Sequence, residues 1–258
     1  MSMDFKNINL EVTKPTATLT LNRPPYNVID IPTMDEINDA LGEIEKEDDA
    51  HFVIFRGAGE KMFSAGVDVS DHTEDKVEEM LSKFHEIFRL LYKWDKISIA
   101  VVHAPAIGGG CELAASCDFV IAAESAYFSQ PEIDVGCYPP VAAAAFPSMI
   151  GPKAALDMLL TGRKISAREA KEIGMVTRVV PDDKLENAVE ELLETLKGKS
   201  RKVLSLTRKA VRAGTEWEFN LALTKAEDIY MDELLKTEDV KEGLNAFTEK
   251  RKPDWKHK

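Results

Sequence analysis

Cysteine is scarce in this 258-residue chain, and the three present, Cys111, Cys117 and Cys137, are odd in number and lack metal-type spacing. Neither a disulfide framework nor a zinc site is expected; buried, reduced thiols in a cytosolic protein fit better. Basic charge is outweighed: 33 Lys and Arg against 45 Asp and Glu leave a net charge of −12. That balance disfavours wholesale binding to nucleic acid or to an anionic membrane. No apolar run approaches the roughly 20 residues of a membrane span; the longest, around 97–106 and 141–146, have core lengths. Residues 1–6 carry no apolar stretch after their charges, so no signal peptide is expected. There is no convincing repeat and no low-complexity linker.

What is there suits a soluble globular protein: 44% of residues are hydrophobic and 30% charged. The length fits one large domain or a domain with an appendage. Alternation over 12–21 predicts a strand stopped by Asn22-Arg23-Pro24-Pro25. Met34, Ile37, Leu41 and Ile44 are spaced as a helix face, and 52–55 reads as a buried strand. A helix is expected over 73–92, a continuous apolar strand over 97–103, a short helix over 112–117, and strands over 119–123 and 126–128. Further helices are expected over 152–160, after the capping box Ser166-Ala167-Arg168-Glu169, and over 185–196, with a strand over 175–180. From residue 200 onward the pattern predicts helices alone, three of them: 201–213, 217–235 and 240–250. The expectation is an α/β core over 1–199 and a helical segment over 200–258.

The candidate chemistry lies in three short stretches. Ile107-Gly108-Gly109-Gly110-Cys111-Glu112 puts a carboxylate just after a glycine run that leaves an apolar strand and opens a helix. Amides at such a helix start stabilise negative charge. Gln130-Pro131-Glu132 supplies a second acid, its direction constrained by the proline. Phe63-Ser64-Ala65-Gly66-Val67-Asp68 is a small-residue turn able to offer another amide. Two donors and two acids are what holding a carbonyl oxygen and moving a proton beside it require.

Plainer accounts stand beside these: ordinary glycine turns, Glu112 as a helix-start charge, Glu132 as a strand-end charge. Asp68, Asp71, His72, Glu74 and Asp75 fit no ligand spacing and read as a solvated loop and helix cap. Cys111 has no histidine placed to pair with it, and Ser64 with His103 has little to favour a hydrolase pair. The closing cations Lys250, Arg251, Lys252, Lys256 and Lys258 are either a solvated tail or an anion site.

Taken in order, Leu21-Asn22-Arg23-Pro24, Phe63 to Asp68, Gly108 to Glu112, Gln130-Pro131-Glu132, Leu160-Thr161-Gly162 and Phe247 to Lys252 resemble the enoyl-CoA hydratase (crotonase) family over essentially the whole chain. The resemblance implies a spiral of strand-strand-helix units with a C-terminal helical trimerisation segment, assembled as a homotrimer or a dimer of trimers. It implies an acyl-CoA thioester substrate, the amides of Val67 and Gly109 as an oxyanion hole, and Glu112 and Glu132 as catalytic acids. Arg23, Ala65, Asp68, Val69 and Lys250 are the expected coenzyme A contacts, with Lys250 reaching a neighbouring subunit's ligand. No metal or redox cofactor is implied.

One stretch departs from the family pattern. Where hydratases usually run Pro-Gly-Ala-Gly-Gly, this chain has Tyr138-Pro139-Pro140-Val141-Ala142, so Pro140 removes an N–H beside the expected water. Pro140 and Ala142 are the expected substrate-pocket residues. This stretch, with 71–76, 230–235 and 242–244, is similar to a narrower branch that hydrates cyclohexa-1,5-diene-1-carbonyl-CoA in anaerobic benzoyl-CoA degradation. A straight-chain hydratase, an isomerase, and an inactive acyl-CoA-binding or RNA-associated scaffold remain alternatives.

Overall fold

The computed structural model describes residues 5–258, apart from the side chains of Glu216 and Trp217. Strand β1 (Ile8–Thr13) turns back on β2 (Thr16–Leu21) in an antiparallel pair that sets Ile8 opposite Leu21. Asp30 then caps α1 (Ile31–Lys46) by accepting from the Thr33 N–H at 3.0 Å, with a proline in the first turn where no intrahelical partner is lost. The expected stripe of Met34, Ile37, Leu41 and Ile44 is buried.

From there the chain winds as a repeated strand, short bridge and helix. β3 (Phe52–Gly57) leads through the Ser64 turn to α2 (Val77–Lys93). β4 (Ile97–Val102) and β5 (Ala106–Ile107) lead to α3 (Gly109–Ser116), and β6 (Phe119–Ala123) and β7 (Tyr127–Ser129) to a 3₁₀ turn at Pro131–Val135 and then α4 (Pro140–Ile150). α5 (Pro152–Thr161), β8 (Ile165–Ser166), α6 (Ala167–Glu172), β9 (Arg178–Val180) and α7 (Leu185–Lys197) complete the core. The large sheet runs β1-β2-β3-β4-β6-β9, parallel after the first pair; the small one runs β5-β7-β8.

The central strands are apolar on both faces because both are covered. Val53, Phe55, Ala100, Val102, Val120 and Ala122 join the main core with α1–α4. Their alternating neighbours Phe52, Ile54, Ile99, Val101 and Ile121 pack under Leu185, Val189, Leu192 and Leu196 of α7. The predicted capping box is present, Ser166 Oγ accepting from the Glu169 N–H at 3.1 Å, and the φ of +92° at Gly174 follows that helix.

Several boundaries differ from the sequence expectation. The polar run 73–76 makes a turn and α2 starts at Val77, its first apolar residue. The strand expected over 175–180 narrows to β9, because Met175 and Val176 are buried core residues ahead of it. The C-terminal segment holds two α-helices, not three: α8 (Arg201–Asp232) runs unbroken through Gly214, and α9 (Glu238–Thr248) follows a 3₁₀ turn. Gly214 has open space where a Cβ would lie and no positive φ. It therefore costs the helix about 1 kcal/mol of propensity without ending it.

Candidate active site

Two turns meet backbone to backbone where β5 gives way to α3. Ser64 ties the first: its Oγ donates to the Asn27 carbonyl at 2.7 Å and accepts from the Gly66 N–H at 3.0 Å. Ile29 pairs across it, donating to Gly66 O at 2.8 Å and accepting from Asp68 N at 3.1 Å. Gly66 has φ +86°, and a Cβ there would fall 2.8 Å from Gly109 N, so only glycine lets the turns touch. Val67 stands between the two residues whose backbone atoms bond to Ile29, and Gly109 opens α3. Among the described residues neither amide has a protein acceptor. Two adjacent unclaimed donors, one at a helix N-terminus, can hold the oxygen of a carbonyl as it gains charge.

The acids stand against this frame. Glu112, in the first turn of α3, is 2% exposed, and its Oε1 accepts from the Ala142 N–H at 2.7 Å. Pro140 is the first residue of α4, a position where a helix N–H has no intrahelical partner. The missing donor is thus Pro140's own, while the following turn of α4 still supplies one to Glu112. Glu132 lies in the 3₁₀ turn and is half-buried against Gly108, where a Cβ would meet its Oε1 at 2.6 Å. Gly108 has φ +53°, a second reason for glycine there. With the Gln130 amide nitrogen facing Glu132, it lies 3.3 and 3.2 Å from the two carboxylate oxygens.

Burial pushes Glu112 up to about 8, helped by the nearby charge of Glu132 and opposed by the N–H bonds from α4. Burial likewise pushes Glu132 up to about 7. Near neutrality the pair therefore retains a proton, giving one carboxylate and one carboxylic acid in one cavity.

That cavity, of about 370 Å³, is lined by Ala65, Val67, Val69, Gly109, Glu112, Glu132 and Pro140 among the residues singled out from sequence. Ala142 acts through its N–H on Glu112. Arg23, Asp68 and Lys250 are not part of the wall. The Arg23 guanidinium pairs with Asp30 at 3.0 Å and donates to Val28 O, bracing the turn ahead of α1, and Asp68 caps the short turn Val69–Asp71. Lys250 is exposed, with φ +53° just past α9, whereas Arg251 reaches the cavity wall. The cationic tail is largely spent on its own chain: Arg251 bonds Glu242 and Glu249, Lys256 pairs with Asp254, and Lys258 lies 3.7 Å from Glu238.

Among the weaker candidates, Asp71 departs from the solvated loop expected of it: it is buried, accepting from the Ile31 N–H at 3.0 Å and pairing with Lys76. Ser64 Oγ is committed to its own turn, and burial pushes the Cys111 thiol well up, away from reactivity. Sequence reasoning missed the wall drawn from distant elements: Met80, Leu81, Phe84 and His85 of α2, Tyr230 of α8, and Gly243, Ala246 and Phe247 of α9. His85 was detectable as the one histidine on an apolar helical stripe.

A sequence profile of the Enoyl-CoA hydratase/isomerase family matches residues 11–258. The short-chain-enoyl-CoA hydratase of Clostridium acetobutylicum is 35% identical over 256 residues, covering 97% of both chains. The crotonyl-CoA hydratase of Syntrophomonas wolfei is 34% identical, covering 98% of this chain and 99% of its own. Among solved structures, an enoyl-CoA hydratase from Mycobacterium avium subsp. paratuberculosis superposes with a TM-score of 0.88 at 28% identity, over 97% of this chain and 98% of that one. An enoyl-CoA hydratase/isomerase from Xanthobacter autotrophicus gives 0.86 at 31%, over 95% and 94%. With its two touching turns, its paired acids and a profile match over nearly its whole length, this chain belongs to the enoyl-CoA hydratase/isomerase (crotonase) family.

Proposed function

We propose that the chain hydrates a conjugated enoyl thioester of coenzyme A, and that its preferred acyl group is the ring of cyclohexa-1,5-diene-1-carbonyl-CoA. The observation that carries the hydratase reading is the shared cavity, with two acids that hold a proton between them beside two amides that lack acceptors. The amides of Val67 and Gly109 bind the thioester oxygen. The ionised acid of the Glu112–Glu132 pair takes a proton from water, whose oxygen bonds to the β-carbon while the electron pair moves onto the carbonyl oxygen. The protonated partner returns a proton to carbon as that charge collapses back. In the cyclic diene the enolate is extended, so the proton is added at its far end and the product is 6-hydroxycyclohex-1-ene-1-carbonyl-CoA. Water and the two acids balance the reaction, and no cofactor is assigned to it.

The ring reading is supported by a broad wall of Leu81, Phe84, Tyr138, Pro139 and Pro140, and by the loss of the Pro140 donor where a straight chain would use the water site. Such a substrate would place the enzyme in anaerobic benzoyl-CoA degradation. The names of the relatives favour the straight-chain reading instead. Exposed Val203, Leu206, Val211 and Leu221 on α8 support a homotrimer or dimer of trimers, and we assign the protein to the cytoplasm. Among the described residues no helix is long and apolar enough to cross a membrane.

Loss of absorbance of the conjugated thioester tests the reading. The kcat/KM for the cyclic diene is expected to exceed that for crotonyl-CoA by more than about tenfold, or about 1.4 kcal/mol of transition-state binding. Preference for crotonyl-CoA would overturn the ring and leave the hydratase; no reaction with either would leave an acyl-CoA-binding scaffold.

A further inference from the structure

The reaction above uses one side of the cavity; the side formed by α2 and α8 carries polar groups it does not need. His85 is wholly buried on α2, on a stripe otherwise made of Leu81, Phe84 and Phe88, and it lines the cavity. Its Nδ1 lies 2.6 Å from Glu227 Oε1 on α8, and Arg89 holds the same oxygen at 2.7 Å. A carboxylate only accepts, so Nδ1 carries the ring proton. Burial lowers the affinity of His85 for a second proton, against the pull of Glu227, so Nε2 is a bare acceptor. Among the described residues Nε2 has no partner.

Tyr230 follows Glu227 by three residues on α8, so the two share a helix face. It is 1% exposed, lines the same cavity, and its hydroxyl has only the weakly bonding Cys137 thiol beside it, with no oxygen or nitrogen partner among the described residues. A buried acceptor without a partner, and a buried hydroxyl met only by a thiol, are costly unless something in the cavity meets them. A substrate hydroxyl placed between them would donate to His85 Nε2 and accept from the Tyr230 O–H. Hydrocarbon satisfies neither.

We infer that His85 and Tyr230 form a second, polar subsite in the acyl cavity, which selects acyl groups carrying a hydroxyl beyond the reacting double bond. The inference rests on the hydratase reading only for the placement of the thioester at the Val67–Gly109 end. It is independent of whether the acyl group is a ring or a chain.

The test compares short trans-2-enoyl-CoA thioesters, each against its ω-hydroxylated counterpart, in the wild-type protein, Tyr230→Phe and His85→Phe. Tyr230→Phe removes one oxygen whose only protein neighbour of polar character is the Cys137 thiol, so folding should survive it even if His85→Phe does not fold. At some chain length, the wild-type kcat/KM is expected to favour the hydroxylated thioester by about tenfold or more. That ratio should fall at least about threefold in one or both variants. A wild-type ratio near one at every length, or a ratio that moves in neither variant, overturns the subsite. If no thioester is hydrated at all, the hydratase reading fails by itself. Calorimetric affinities for the same pairs then decide the subsite by the same ratios.

Discussion

Replacing Glu112 by glutamine should remove catalysis and strengthen the fold, and the two effects can be separated by pH. In the unfolded chain a glutamate ionises near its ordinary value of 4.5; in the folded protein Glu112 does so only near about 8. Between these values the folded state binds more protons than the unfolded one, so stability falls as pH rises through that window. It is fully retained below about pH 4.5 and stops falling above about pH 8. Each pKa unit corresponds to about 1.4 kcal/mol, which sets a ceiling of about 5 kcal/mol on the loss. Water drawn in around an ionised Glu112 lowers this, and about 2 kcal/mol is the expected size. A glutamine still offers an oxygen to the Ala142 N–H, so the anchor to α4 survives. Denaturant unfolding at one protein concentration should therefore show Glu112→Gln more stable than the wild type at pH 8.5, with most of the gain gone at pH 5. The same variant should lose at least about 10²-fold in kcat. A stability difference that does not change with pH would refute the assignment of Glu112 as a buried acid with a raised proton affinity.

Other expectations follow from the same geometry. Glu132→Gln should also lose at least about 10²-fold in kcat while still binding acyl-CoA, as measured by turnover and calorimetry; near wild-type turnover would remove Glu132 from the mechanism. Gly108→Ala puts a Cβ 2.6 Å from Glu132 Oε1 at a positive φ, and kcat should drop about 10²-fold in a variant whose circular dichroism is unchanged. Pro140→Gly restores an N–H at the first residue of α4 and should narrow the gap between the cyclic diene and crotonyl-CoA in kcat/KM. Arg251→Ala should raise KM more than Lys250→Ala, and less so at high salt, because Arg251 is the cation in the cavity wall.

Much of this was legible from local pattern. The stripe of α1, the double-sided apolar strands and the capping box of α6 are set by neighbours within a few residues, where periodicity speaks directly. The glycine and acid stretches could be read because a tight turn and a buried charge each leave few residue choices. What could not be read depends on contacts across the chain. His85 stands out on its apolar stripe, but it meets Glu227 from 142 residues away, and nothing local names that partner. The continuity of α8 was hidden because Gly214 suggests a break, which the open space around it does not require. The bearing of Gln130 on Glu132 emerges only from the fold of the 3₁₀ turn.

The seat of α9 has a consequence for how the protein is made. Gly243 lies so close to the 3₁₀ turn that a Cβ would fall 2.3 Å from the Val135 carbonyl oxygen, and one on Gly136 would fall 2.8 Å from that of Asp239. This contact brings Ala246 and Phe247 over a cavity whose other walls begin at Ala65. On the ribosome, a nascent chain can therefore assemble the sheets, the paired acids and the touching turns while the acyl cavity still lacks one wall. Until α9 emerges and docks, that apolar interior faces water, and closure of the cavity waits on α9.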